Sequence, residues 1–316
     1  MGTLRFDGQV AVVTGAGNGL GRCYAMYLAE HGAKVVVNDL GRDRRGEGDV
    51  ESAAQSVADE IIAAGGIAIA NANSVASETG AASIVADAVS AWGHIDIVVN
   101  NAGVTPNGEG IDQASRDEWN RVVDVHLHGS VNVLRAAWPH MASAGYGRVV
   151  NISSSSALGM PFVLTYGTAK AALVGLTRIL AVEGEPTGIR VNAVMPTAAT
   201  RMTATDFAPV YESMYQLQPG EFVQRFPAES VAPGVALLCH ESVPCSGETF
   251  SIGGGRMARV FTGVTVGVTA EDPADYLADW ATVFSPDRFT VATDTWVNEG
   301  AHLGADRVTW RTSQET

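Results

Sequence analysis

Seven short apolar runs, at residues 10–13, 35–37, 67–70, 95–99, 149–152, 191–194 and 250–252, restrict what this chain can fold into. Several are apolar on successive residues rather than on alternate ones. Both faces must then be covered, as in parallel strands lying between helical layers. The spacers hold helical patterns: residues 22–31, a stretch after Ser115, and residues from Tyr166 towards Glu183, stopping before Pro186. Ser115-Arg116-Asp117-Glu118 reads as a capping box ahead of Trp119, Val122 and Val123. Alternating β and α with right-handed crossovers gives an α/β fold, a doubly wound sheet of about seven parallel strands with helices on both faces.

The pattern changes after residue 255. Residues 260–268 are β-branched and rich in Gly and Thr. Asp272-Pro273 then starts a helix, with Asp as N-cap and Pro in the first turn. Tyr276, Leu277, Trp280 and Phe284 would share one face of it. The expected division is 1–255, catalytic and cofactor-binding, and 256–316, a C-terminal extension serving as a lid or an oligomer contact.

Composition limits the function classes. The 316 residues, 46% of them hydrophobic, suffice for a proper core and exclude a disordered chain. With 34 acidic against 20 basic residues the net charge is −14, which argues against broad binding to nucleic acid or anionic membranes. It leaves room for a local basic pocket. Cys23, Cys239 and Cys245 form no disulfide framework and no C-x-x-C pair. No apolar run approaches the roughly 20 residues of a membrane helix. The N-terminus lacks a signal-peptide core, so a cytoplasmic protein is expected.

Four motifs carry chemistry. Thr14-Gly15-Ala16-Gly17-Asn18-Gly19-Leu20-Gly21 directly follows the first strand. Glycines there allow a tight turn and close approach to a pyrophosphate, seated at the N-terminus of the next helix. Asp39 ends the second strand, where a carboxylate accepts the ribose hydroxyls of an adenosine and repels a 2′-phosphate, favouring NAD over NADP. Arg42, Arg44 and Arg45 follow it and offer a place for that phosphate, or a solvated loop. Asn100-Asn101-Ala102-Gly103 follows the fourth strand and serves equally as a cofactor contact or a turn. Tyr166 and Lys170 share a helix face at i, i+4, with Ser153 thirteen residues before Tyr166. A nearby cation lowers the pKa of a tyrosine, and the serine can hydrogen-bond the same substrate oxygen.

Together and in this order these motifs resemble the short-chain dehydrogenase/reductase superfamily over about residues 5 to 255, including Arg190-Val191-Asn192-Ala193-Val194-Met195-Pro196 and the Gly253-Gly254-Gly255 stretch. Val125-His126-Leu127-His128-Gly129, Arg135-Ala136-Ala137-Trp138 and Leu238-Cys239-His240-Glu241-Ser242 resemble, more narrowly, the dehydrogenase unit of multifunctional enzyme type 2. That unit handles (3R)-hydroxyacyl-CoA and is also called 17β-hydroxysteroid dehydrogenase type 4. A stand-alone relative of it is the expectation. The resemblance implies a Rossmann-type sheet, NAD(P)-dependent interconversion of alcohol and carbonyl, and a homodimer or homotetramer. It implies Ser153 polarising the substrate oxygen, Tyr166 as acid/base, and Lys170 tuning Tyr166 and holding the nicotinamide ribose. Gly15, Asn18, Gly19, Leu20 and Gly21 would meet the pyrophosphate and Asp39 the adenosine ribose. Ser74 and Val75 would line the adenine, Asn101, Ala102 and Gly103 the ribose chain, and Thr200 the nicotinamide amide.

The sequence departs from the family at three places. His126 replaces an Asn that fixes a water in the family's proton relay, although the multifunctional branch resembles this chain in having His there. Asn73 stands where that branch has an adenine-binding Asp, and Thr197 replaces the Gly after Pro196. Ser154, Ser155 and Ser156 follow Ser153, and spacing alone selects Ser153. Residues 200–225, with Met202, Phe207, Met214, Tyr215, Leu217 and Phe222, supply a lid-like apolar lining, or ordinary helix core. Arg201, Arg256 and Arg259 are available to CoA phosphates. The leading expectation is an NAD-dependent dehydrogenase of a lipid-like secondary alcohol, with no metal. An NADP-linked 3-oxoacyl reductase and a non-catalytic dinucleotide-binding sensor are the alternatives.

Overall fold

The structure is a computed structural model that describes residues 4–41, 53–108, 110–200 and 208–292, and the backbone of 311–312. The chain divides into two compact units, Met1–Arg259 and Val260–Thr316.

In the first unit strands and helices alternate as the apolar runs require. The order begins β1 (Val10–Thr14), α1 (Gly19–Glu30), β2 (Lys34–Asn38), α2 (Ala53–Ala63), β3 (Ile67–Asn71), α3 (Glu78–Trp92) and β4 (Ile97–Asn100). It continues through α4 (Arg116–Val123), a π-helical turn Asp124–His128, α5 (Gly129–Ala144), β5 (Gly147–Ile152), α6 (Leu164–Gly184) and β6 (Ile189–Thr197). It closes with α7 (Ala208–Met214), α8 (Glu221–Arg225), α9 (Ala232–Cys239), β7 (Thr249–Gly253) and β8 (Arg256–Val260). The sheet order is β3-β2-β1-β4-β5-β6-β7-β8. Pairings from β3 through to β7 are all parallel. β8 is an eighth strand beyond the seven apolar runs. Gly254 and Gly255, at φ +55° and +78°, join it to β7. A two-residue turn in that region of backbone space builds a hairpin.

Successive residues of β1 serve opposite layers. Ala11 and Val13 pack with Tyr24 and Leu28 of α1, Ile61 of α2 and Leu238 of α9. Val10 and Val12 pack with Ile84 of α3 and Leu134 and Met141 of α5. The runs of successive apolar residues are thus two half-cores read along one strand.

Polar residues end these strands. Asn38 and Asn71 lie side by side, as do Asn100 and Asn151. Asn38 Nδ2 donates to Asn71 Oδ1 at 3.1 Å, and Asn100 Nδ2 to Asn151 Oδ1 at 3.0 Å. A one-residue slip would strand these buried amides, so they reinforce the register.

The capping box forms by half. Ser115 Oγ accepts from Glu118 N–H at 3.1 Å. The Glu118 carboxylate turns away instead, to Asn107 N–H at 2.9 Å and Arg121 Nε at 2.9 Å. Glu118 through Asn107, and Arg121 through Thr105 O at 2.7 Å, therefore tie α4 to the loop after β4.

The second unit holds β9 (Gly263–Thr265), α10 (Pro273–Ala278), α11 (Trp280–Phe284), β10 (Arg288–Val291) and β11 (Arg311–Thr312), with the three strands in an antiparallel sheet ordered β11-β10-β9. Asp272 Oδ1 caps α10 by accepting from Ala274 N–H at 2.8 Å. The single helix expected from the apolar spacing is broken at Asp279 (φ −101°, ψ 22°). No helix among the described residues is long and apolar enough to cross a membrane.

Gly21 sets the closest approach in the fold's first turn. A Cβ there would lie 2.2 Å from Gly15 O and 2.5 Å from Asn101 Nδ2. Gly21→Ala is expected to cost about 1–3 kcal/mol, since backbone must move to admit the methyl. A urea midpoint lowered without a change in slope checks this.

Candidate active site

The chain leaves β1 at the sheet's switch point, where β1 lies between β2 and β4 and connections diverge to either side. Doubly wound sheets open a crevice there, at the carboxyl ends of the strands. Asn101, just past β4, closes the gap. Its Nδ2 donates to Thr14 O at 2.9 Å and Gly15 O at 3.0 Å. Thr14 Oγ1 in turn accepts from the N–H groups of Asn101 and Ala102, both at 3.0 Å. The Asn101 side chain thus holds the glycine turn.

Gly15 and Gly19 take φ +63° and +51°. Asn18 precedes α1 in extended conformation and makes no side-chain cap, and the first turn has no acidic residue. The N–H groups of that turn face the cleft without competition. Across it, Asp39 is held by both oxygens. Oδ2 accepts from Gly17 N–H at 2.9 Å and Oδ1 from Gly41 N–H at 2.9 Å. A cradle that side chains would fill, an uncapped 12-residue helix and an opposed carboxylate fit a dinucleotide.

The structure brings Gly15, Asn18, Gly19, Leu20, Gly21, Asp39, Ser74, Val75, Asn101, Ala102, Gly103, Ser153, Tyr166, Lys170 and Thr200 to the wall of one cleft of about 320 Å³. Asn73 lies on the same wall, its amide nitrogen donating to Ser83 Oγ at 3.1 Å. A second cleft of about 580 Å³ shares Leu20, Ser153, Tyr166 and Thr200 and runs on over Tyr211, Leu217, Phe222 and Phe226. Among the expected lining residues Phe222 is buried, while Met214 is 65% exposed and does not line this cleft. Arg42, Arg44, Arg45, Arg201, Met202 and Phe207 lie outside the described residues.

Tyr166 and Lys170 sit one turn apart on α6, with Lys170 Nζ 5.5 Å from the Tyr166 ring centre. Lys170 is buried and donates to Ile152 O at 2.6 Å. The serine chosen by spacing lines the cleft with Tyr166 and also has a second bond to make. Ser153 Oγ is buried and donates to Lys170 O at 2.7 Å, so it braces α6. Ser154, whose Oγ donates to Ser156 Oγ at 3.1 Å, is the serine whose side chain pulls the Tyr166 phenol downward. Side chains alternate sides along extended chain leaving β5, so 153 and 154 face different neighbours. That alternation was the available signal, and a fixed count back from Tyr166 overrides it.

The short chain dehydrogenase family matches residues 9–210. The chain is 43% identical over 279 residues to Rv0148 of Mycobacterium tuberculosis, a short-chain type dehydrogenase/reductase, covering 87% of this chain and 93% of that one. It is 38% identical to peroxisomal multifunctional enzyme type 2 of Drosophila melanogaster over 96% of this chain but only 48% of that protein. The structure of a 7α-hydroxysteroid dehydrogenase complexed with NADH and 7-oxo glycochenodeoxycholic acid superposes at TM-score 0.71 and 28% identity, covering 81% of this chain and 98% of that one. This chain is a short-chain dehydrogenase/reductase. It is an oxidoreductase acting on CH–OH donors with NAD(P).

The dehydrogenase buries its titratable groups. Burial pushes the Tyr166 phenol up to about 12, against the downward pull of Ser154. Burial brings Lys170 down to about 7. His126 is held well below the usual histidine range, first by burial and then by the charge of Lys170, so its ring is neutral. That ring stands edge-on to Tyr166 at 5.2 Å and lies against Gly103, where a Cβ would be 2.4 Å from Cε1. Its Nε2 is 3.0 Å from Val104 N and 2.9 Å from Val104 O. Its Nδ1 is buried with no hydrogen-bond partner among the described residues. His126 is therefore a half-satisfied wedge behind the tyrosine. Among the described residues no cluster of His, Cys, Asp and Glu is arranged to hold a metal.

The lysine makes stability depend on pH. Its pKa falls from 10.5 in the unfolded chain to about 7 in the fold. Between those values the unfolded chain takes up a proton that the fold refuses, so stability drops as pH falls through this window. Lys170→Met lacks that penalty. Its urea-unfolding free energy relative to the parent protein is expected to be more favourable at pH 7 than at pH 10.

Proposed function

We propose that this dehydrogenase is NAD-linked and interconverts a secondary alcohol and a ketone on a lipid-like substrate, with (3R)-hydroxyacyl-CoA or a steroid or sterol side-chain CoA ester as the class. The observation that carries this reading is the meeting of two unlike clefts at Tyr166. One is glycine-lined and faces Asp39; the other is aromatic.

Bound NAD⁺ supplies the hydride acceptor. Gly15, Gly19, Leu20 and Gly21 take its pyrophosphate at the N-terminus of α1. Asp39 accepts the adenosine ribose hydroxyls and disfavours a 2′-phosphate through like charge. Ser74 and Val75 flank the adenine, Ala102 and Gly103 the ribose chain, and Thr200 the amide end. Ser154 and Tyr166 hold the substrate hydroxyl between them. Tyr166 takes its proton as the C–H hydride departs, and Lys170, one turn along α6, favours the phenolate whenever it carries its charge. Ser153 keeps α6 at the height this requires. His126 holds the Tyr166 ring from behind.

The relatives support the substrate class by their names: a multifunctional enzyme type 2 and a hydroxysteroid dehydrogenase. An apolar groove of about 310 Å³ between α5 and α6, lined by Leu134, Trp138, Leu176 and Leu180, supports a homodimer or homotetramer formed through these helices. Ile179 and Val182 of α6 are more than half exposed. In the second unit Leu277, Trp280 and Phe284 are exposed and offer a contact for the same assembly, or a lid.

NADH absorbance with a (3R)-hydroxyacyl-CoA, its (3S) form and a 17β-hydroxysteroid tests the reading. Turnover with NAD and the (3R) form is expected to fall about 10²–10⁴-fold in Tyr166→Phe. Ser154→Ala should lose more than Ser153→Ala, and Asp39→Ala should reduce the preference for NAD over NADP by about tenfold or more. Equal activity with the (3R) and (3S) forms would overturn the substrate class. For the assembly, light scattering after size exclusion should show a smaller species for Leu180→Arg than for the parent chain.

A further inference from the structure

The aromatic cleft has a wall chemistry that hydride transfer does not use. The chain carries 34 acidic residues against 20 basic ones, yet no carboxylate lines this cleft among the described residues. Two arginines do, Arg225 and Arg256. Arg225 is already engaged, 2.5 Å from Glu221 one turn earlier on α8. Arg256 has no carboxylate or carbonyl partner among the described residues. Several other arginines of this acidic chain find one, and Arg116 and Arg288, which like Arg256 have none among the described residues, do not line the cleft. Arg22 pairs with Glu60, Arg121 with Glu118, Arg135 with Glu78, and Arg259 with Glu248 at 2.6 Å. Arg148 and Arg190 bond to backbone carbonyls. Arg259 is thereby withdrawn from the role offered to it by sequence.

Arg256 also stands on a fixed support. It is the first residue of β8, directly after the Gly254-Gly255 turn. A Cβ at Gly254 would lie 3.2 Å from the Phe226 ring, so the hairpin rests on the cleft's aromatic floor. That floor is continuous: Tyr211 stacks on Phe222 at 5.0 Å, and Phe222 meets Phe226 at 5.2 Å. The cleft thus runs from Tyr166, over three aromatic rings, to an exposed guanidinium.

We propose that Arg256 is a specificity-determining residue that receives an anionic group, carboxylate or phosphate, on an amphipathic substrate whose apolar body lies on Tyr211, Phe222 and Phe226. The proposal rests on the reading above that Tyr166 marks the reacting end. A guanidinium fork matches either oxyanion, and aromatic rings take the chain between.

Decanoate, decyl phosphate and 1-decanol share one apolar chain and carry no secondary alcohol, so their binding is read without turnover. Calorimetric titration into the NAD-saturated protein should show both anions binding about tenfold more tightly than 1-decanol, with the margin shrinking as salt is raised. Arg256→Gln should abolish that margin while leaving 1-decanol unchanged; Arg225→Gln should keep it. A stronger margin for the phosphate assigns the anion to a nucleotide-bearing carrier, and a stronger margin for the carboxylate to a free acid; either supports the proposal. Equal binding of all three by the parent protein overturns it, as does a margin that survives Arg256→Gln. An anion margin present with no turnover of the (3R)-thioester would overturn the substrate reading and leave Arg256 standing.

Discussion

One carboxamide joins the two halves of this sheet where a ligand must enter. Asn101 Nδ2 bonds the carbonyls of Thr14 and Gly15, and Thr14 Oγ1 returns the bond to two N–H groups beyond β4. Four hydrogen bonds across the switch point hold the glycine turn against Ala102, so the N-terminus of α1 has a fixed height over the cleft. Everything proposed for the cofactor depends on that height. A glycine turn free to relax would fill the cradle with its own backbone. The bonds cross from β1 to β4, so they also set the distance between the Asp39 side of the crevice and the Tyr166 side.

Behind the cleft the protein concentrates ionisable groups where water is scarce. Tyr166 is driven towards its neutral form and Lys170 towards losing its charge near neutral pH. Burial pushes these two groups in directions that oppose catalysis by phenolate, and a cationic nicotinamide held in the cleft would push the tyrosine back. His126 joins them as an uncharged neighbour. Burial and the neighbouring charge of Lys170 both hold that imidazole neutral where it stands edge-on to the tyrosine. Ser153 and Ile152 contribute through bonds to and from Lys170, its carbonyl and its ammonium respectively.

The layered α/β architecture was legible because strands buried on both faces leave an unambiguous trace: six of the seven apolar runs lie wholly on strands, and the run 95–99 enters β4 at Ile97. Their polar ends were not legible. Thr14, Asn38, Asn71 and Asn100 extend their strands by one residue and look like loop residues in the sequence. They are strand residues because they pair sideways, which no local pattern encodes. The site was legible as a set of residue types and less so as a geometry. Ser153 and Ser154 are chemically identical, and only the direction of each side chain distinguishes the brace from the partner of Tyr166. Glu118 shows the same limit: a capping box predicts its backbone bond correctly, while Arg121 and Asn107 outbid the cap for its carboxylate. The helix expected over residues 273–284 keeps its spacing but breaks at Asp279, where the apolar face alone gives no reason to stop.

The π-helical turn between α4 and α5 has a consequence for how this fold can vary. Gly129 N–H bonds to Asp124 O, five residues back, so the turn holds one residue more than a regular helix would. An extra residue rotates everything after it by about 100°. The segment before the turn presents Val122 to the small cluster beside Tyr166, and the segment after it presents Val133, Leu134 and Ala137 to the main core. One continuous helix thereby answers to two differently oriented surfaces, and His126 occupies the point of changeover. The helix is a coupling between core and cleft whose phase is set by a single inserted residue. A chain that lost that residue would keep a helix of good propensity but would have to choose which of the two surfaces to serve.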